Sequence, residues 1–238
     1  MNELSIMRKR SLLITFKFLV VVGTFSFYCG CASTTTGIKT ALDPIFLSQI
    51  KKIGIKVEIK EKFSVILNQL GTQDAGFIAG GLLGAAIQKG IQKGVDSNLT
   101  NDLKPMLGDF DCKRILTSMM VQGLQRSGRF DSVIDISEHP EDASSVDGLL
   151  ILDIVTWGLR PGMSKDPADK GMAALDAQIS LLQGQDRRSI WKRESFFAAG
   201  DVYPLENFST TQGLLRNEML DLLINYSNRI INEIRFTR

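Results

Sequence analysis

Apolar and polar residues change rhythm several times along this chain, and each rhythm predicts an element. Ile53, Ile55, Val57 and Ile59 alternate with Lys52, Gly54, Lys56, Glu58 and Lys60, the period-two pattern of a strand with one buried face. Cys112, Ile115, Leu116, Met119, Met120 and Leu124 recur at helical spacing; Asp109 or Asp111 can cap that helix and Gly128 can end it. Phe130–Ile136 reads as a short strand, Ser137–Val146 as a polar acidic loop, and Leu149–Leu159 as an apolar strand, long for a single one. After the Pro- and Gly-containing loop Arg160–Lys170, a strand alternates through Ala173, Leu175, Ala177, Ile179 and Leu181. It turns at Gly184-Gln185-Asp186 and returns as Ser189–Phe197, a β-hairpin. Thr210 or Thr211 can begin a last helix. Its apolar face is Leu214, Leu215, Met219, Leu222, Leu223, Tyr226, Ile230 and Ile234.

This order predicts an α+β fold, a mainly antiparallel sheet with helices packed on one face, as a single domain over residues 49–238. A Gly-rich helical insertion is expected at about 75–105 within it. There Gly76, Gly80 and Gly84 recur every fourth residue, and Gly90 and Gly94 repeat the spacing, so the glycines form a stripe along a helix. Such stripes let two backbones approach closely. The segment resembles the glycine zippers of bacterial envelope lipoproteins, which implies self-association or insertion at a membrane surface. A helix hairpin packed closely on its own domain, or a mobile loop, is the plainer account of the glycines. The apolar run Ala75–Ile87 is thirteen residues, too short to span a bilayer as an ordinary helix.

The amino terminus has its own rhythm. Arg8-Lys9-Arg10 precedes an uncharged run of eleven residues, Phe18–Tyr28, and then Cys29-Gly30-Cys31-Ala32-Ser33. A basic start, a short apolar segment and a small residue before a cysteine form an export signal. The pattern resembles the lipobox of bacterial lipoproteins. The resemblance implies cleavage between Gly30 and Cys31, acylation of Cys31, and membrane lipid as the partner of that residue. Tyr28 and Cys29 depart from the usual lipobox residues. If Cys29 were modified, bulky Tyr28 would abut the cut, which favours Cys31. A plain cleaved signal and an uncleaved apolar anchor are the alternatives. Residues 1–30 are thus read as signal peptide, and 31–48 as lipidated cysteine and flexible tether. Ala32 after Cys31 resembles lipoproteins that, in cells with two membranes, are sorted to the outer membrane, facing the periplasm.

Removing the leader takes Arg8, Lys9, Arg10, Lys17 and Glu3 away, so the 28 basic and 26 acidic residues become 24 and 25. The near-neutral remainder gives no footprint for nucleic acid. Only Cys112 would remain as a free thiol, so no internal disulfide is expected. It falls on the apolar face of its helix and reads as an inert buried thiol. The single histidine, His139, sits in an acidic Pro-containing loop, and no ligand spacing repeats around it, so no metal is expected. No catalytic triad, phosphate-binding loop or dinucleotide fingerprint is present, and no cofactor is expected. Trp157 and Trp191 each lie in a predicted strand and are assigned to the core.

The stretch from Ile115 through Ser127-Gly128-Arg129-Phe130-Asp131-Ser132-Val133, with Asp147-Gly148-Leu149-Leu150 after it, is similar to envelope proteins of the curli secretion-channel and TolB amino-terminal type. That resemblance implies a fold and a compartment, but no catalytic residues. The sequence therefore predicts a non-enzymatic envelope lipoprotein acting by binding or assembly, with homo-oligomer or other envelope proteins as partners. A membrane-inserting, pore-forming subunit is the rival reading, and an enzyme without a recognisable motif the third.

Overall fold

The computed structural model describes residues 41–66, 96–138, 140–161, 170–184 and 186–237. Their elements are α1 (Pro44–Ser48), β1 (Lys52–Ile59), β2 (Ser64–Val65), α2 (Ser97–Leu103), α3 (Cys112–Arg126) and β3 (Ser132–Asp135), followed by β4 (Gly148–Pro161), β5 (Lys170–Gln183), β6 (Arg188–Pro204), α4 (Leu205–Thr210) and α5 (Leu214–Phe236). Short 3-10 turns occupy Lys104–Leu107 and Pro140–Ser145, the second inside the expected polar loop.

The fold is α+β. Its sheet runs in the order β3-β1-β4-β5-β6, with β2 alongside β4. The long ladders β4–β5 and β5–β6 are antiparallel and make up most of it. Periodicity did not reveal the rest: β1 runs parallel to both β3 and β4, and β2 parallel to β4. Parallel neighbours need a crossover connection, and here the connection from β1 to β3 carries α2 and α3.

Register explains the core. Ile55, Leu150, Leu181 and Trp191 pair in succession across four strands, and all four are fully buried. The next row is Val57, Leu152, Ile179 and Arg193. These rows lie beneath α3, which packs on β1 and β3, and α5, which packs on β5 and β6. The two helices also pack on each other. At Gly123 an added Cβ would come within 2.2 Å of Ile231 Cδ1, so the missing side chain sets their close approach. Arg193 enters this apolar layer paired with Glu233 of α5, which offsets the cost of burying its charge.

Asp111 caps α3, its Oδ1 accepting from the Arg114 N–H at 2.9 Å, and Gly128 follows the helix at φ 67°. Cys112, Leu116, Met120 and Leu124 are buried as expected; Ile115 and Met119 are half-buried, and Thr117 joins the buried face.

Two expectations change. The last helix is not capped by Thr210 or Thr211. Thr210 lies in α4, its Oγ1 donating to Glu206 O at 2.9 Å, and α5 begins after Gly213 at φ 76° without a side-chain cap. The tether does not extend to residue 48. Asp43 caps α1 through the Ile45 N–H at 2.8 Å, and Leu42, Leu47 and Ile50 enter the core. The apolar strand expected over Leu149–Leu159 is present, as the single strand Gly148–Pro161 with a bulge between Ile154 and Thr156.

Candidate functional site: an aromatic pocket at the far end of β1

The chain enters the sheet at the Lys52 end of β1. At the other end, beyond Ile59, a pocket of about 740 Å³ opens. Its central wall is Trp157. Leu150, Leu152 and Ile154 face the helices, and strict alternation would turn Trp157 the other way. The bulge after Ile154 adds one residue and reverses the alternation, so Trp157 pairs with Leu175 on the helix-covered face.

Trp157 Nε1 donates to Glu61 O at 3.0 Å, which fixes the indole plane. Phe63 meets it edge-on at 5.5 Å and 70°, and Phe110 stacks at 6.3 Å and 26°. Gly158 makes the arrangement possible. Its φ of +146° suits glycine, and an added Cβ would lie 1.9 Å from Ser64 O, so β2 can press directly against β4 and carry Phe63 in. On the opposite wall Arg216 of α5 holds the loop bearing Phe110, donating to Leu107 O at 3.1 Å and to Asp109 Oδ1 at 2.5 Å. The Arg216 guanidinium also holds the Asp109 carboxyl below the usual carboxylate range.

Polar groups gather at the rim. Lys60, Lys62, Lys104 and Asn101 line the mouth and are exposed, with Glu61 the one acidic residue among the lining residues. Lys60 pairs with Asp153 at 3.3 Å. For Lys62 and Lys104 no ion pair is seen among the described residues. An apolar aromatic wall with a few convergent polar groups is the make-up of a binding pocket, and the volume suits a small organic molecule. Among its described lining residues there is no histidine, cysteine or carboxylate pair.

The sequence-predicted residues fare differently. Gly30, Cys31, Gly76, Gly80, Gly84, Gly90, Gly94 and His139 lie outside the described residues. The flanks of the Gly-rich stretch are described. Asp96 N–H donates to Val65 O at 2.9 Å, and Val65 N–H donates to Thr100 Oγ1 at 2.9 Å, so the chain resumes beside the point where it left. Cys112 is buried, and burial pushes its thiol up to about 12, which leaves no thiolate near neutrality. Among the described residues no group of three His, Cys, Asp or Glu could hold a metal ion, and no helix is long and apolar enough to cross a membrane. Trp191 is a core residue as expected, whereas Trp157 is half-buried and forms a pocket wall. The pocket was missed because its parts are far apart in sequence. Two Lys-led, Phe-ended segments, Lys60–Phe63 and Lys104–Phe110, carried the only signal.

No protein-family model and no curated protein matches the chain. Three solved structures illustrate what it is similar to in shape. Protein XCC0632 from Xanthomonas campestris has 13% identity and a TM-score of 0.46, covering 79% of this chain and 85% of that one. A minor lipoprotein from Acinetobacter baumannii has 10% identity and a TM-score of 0.37, covering 78% and 90%. The PelC dodecamer from Paraburkholderia phytofirmans has 12% identity and a TM-score of 0.33, covering 81% and 92%. Likenesses this distant assign neither family nor activity, and they lend no support to the curli and TolB resemblance.

Proposed function

We propose that this chain is an exported, membrane-anchored envelope lipoprotein whose α+β body is a non-enzymatic binding or assembly component. The observation that carries the reading is Gly30-Cys31 behind a basic and then apolar leader. The body supports it. Among the described residues the core begins at Leu42, so residues 32–41 are all that lie between the acylated cysteine and that core in sequence. One acyl chain holds a protein to a membrane marginally and two or three hold it durably. In a host with two membranes, the outer membrane, periplasmic side, is the proposed destination. Intact mass of the membrane-extracted protein tests the anchor. The expected mass begins at Cys31 and includes acyl chains, and Cys31→Ser abolishes them. An unlipidated mass, or a mass retaining the leader, contradicts the reading.

Self-association through Gly76, Gly80, Gly84, Gly90 and Gly94 is the second reading, with membrane insertion of that segment as its stronger form. The meeting of Val65 with Asp96 supports it, because a stretch that departs and returns at one point can act without disturbing the sheet. Gly80→Leu would then alter the oligomeric state of the extracted protein. An unchanged monomer counts against it.

A further inference from the structure

We propose that the Trp157 pocket binds a small organic anion with a flat apolar body. The inference stands whether or not Cys31 is acylated, because every group it uses belongs to the folded body. Half-buried Trp157 and Phe110 present apolar surface at an open mouth, where water must be displaced from it, and buried Phe63 backs the indole edge-on. The indole has no free polar atom to offer, since its N–H is already given to Glu61 O. It can therefore contribute only its ring face, which suits a planar partner.

Charge selects the rest of the ligand. Three lysines and one glutamate line the recess, and Lys62 and Lys104 stand at its rim without an ion pair among the described residues. An anion there is drawn in by both ammonium groups and hydrogen-bonded by Asn101, whereas a cation is repelled. The walls are preorganised: the Arg216 clamp fixes the Phe110 loop, and the Gly158–Ser64 contact fixes the Phe63 side. The occupant is a dissolved small molecule and not a bilayer, because the aromatic surface lines a recess of about 740 Å³.

The test uses the full chain in phosphatidylcholine nanodiscs, labelled with 5-fluorotryptophan. Two tryptophans give two fluorine resonances, and loss of one in Trp157→Phe assigns them. Naphthalene-2-sulfonate is expected to move the Trp157 resonance saturably and leave Trp191 in place. The isosteric cation 2-naphthylmethylammonium should bind at least tenfold more weakly. The double variant Lys62→Glu with Lys104→Glu should weaken the sulfonate at least tenfold while keeping both unliganded resonances. If that variant does not fold, the anion–cation comparison on the unaltered protein decides alone. The proposal is overturned if Trp157 does not respond, if the cation binds equally well, if both resonances move together, or if only phosphatidylglycerol vesicles produce the shift.

Discussion

Trp157 and Trp191 lie on the same face of the same sheet, yet one lines an opening and the other is sealed. Trp191 sits in a four-strand row with Ile55, Leu150 and Leu181, under helices packed closely enough to need Gly123. Trp157 lies beyond the bulge in β4, where the 3-10 turn Lys104–Leu107 and the Phe110 loop border the sheet and leave a recess. An aromatic residue in an apolar strand is core only where a helix covers it. Coverage is a property of the whole fold, and the strand's own pattern does not report it.

The largest effect expected from this contrast is in stability. Trp191→Ala should destabilise the protein by about 3–5 kcal/mol in urea denaturation, the usual cost of truncating a buried aromatic. Trp157→Ala should cost clearly less, because half-buried Trp157 has less apolar surface to lose. Equal losses would erase the distinction between the two regions. Gly158→Ala comes next. Its Cβ would collide with Ser64 O, so the variant should lose more than about 1 kcal/mol and also loosen the pocket. Retention of both stability and naphthalene-2-sulfonate binding would show that β2 is not held as described.

A third prediction concerns the sealed region alone. The Cys112 thiol is pushed up to about 12 when folded, from an ordinary value near 9.0. Between those values the unfolded chain has released a proton that the folded chain keeps, so stability falls as pH rises. The expected slope is about 1.4 kcal/mol per pH unit above the unfolded pKa, and Cys112→Ala should flatten it. Denaturation midpoints at several alkaline pH values would reveal a slope unaffected by the substitution if the thiol were open to water. The smallest effect is at the start of α3. Asp111→Ala removes the cap on the Arg114 N–H and should cost about 1 kcal/mol without changing probe binding.

Much of the fold was legible because its elements have one buried face each. Alternation located β1 and the inward residues Ala173, Leu175, Ala177, Ile179 and Leu181 of β5, all of them buried. Helical spacing located α3 and α5, with Leu215, Met219, Leu222, Leu223, Tyr226, Ile230 and Ile234 buried as the pattern required. Pairing direction was not legible, because the parallel placement of β1 between β3 and β4 depends on the crossover and not on any residue in the strand. Arg193 was hidden for a related reason, since its partner Glu233 is supplied by a helix forty residues later. The pocket was the least legible part. Its wall depends on a bulge that reverses alternation in β4, and its lining joins residues from three separate stretches of sequence.

The most direct test of the account is the solvent accessibility of the two tryptophans. A soluble gadolinium chelate, added to the 5-fluorotryptophan-labelled full chain in nanodiscs, should broaden the Trp157 resonance strongly and leave Trp191 sharp. Equal protection of both would mean that the far end of the sheet is closed, and would contradict the open aromatic pocket on which the binding role rests.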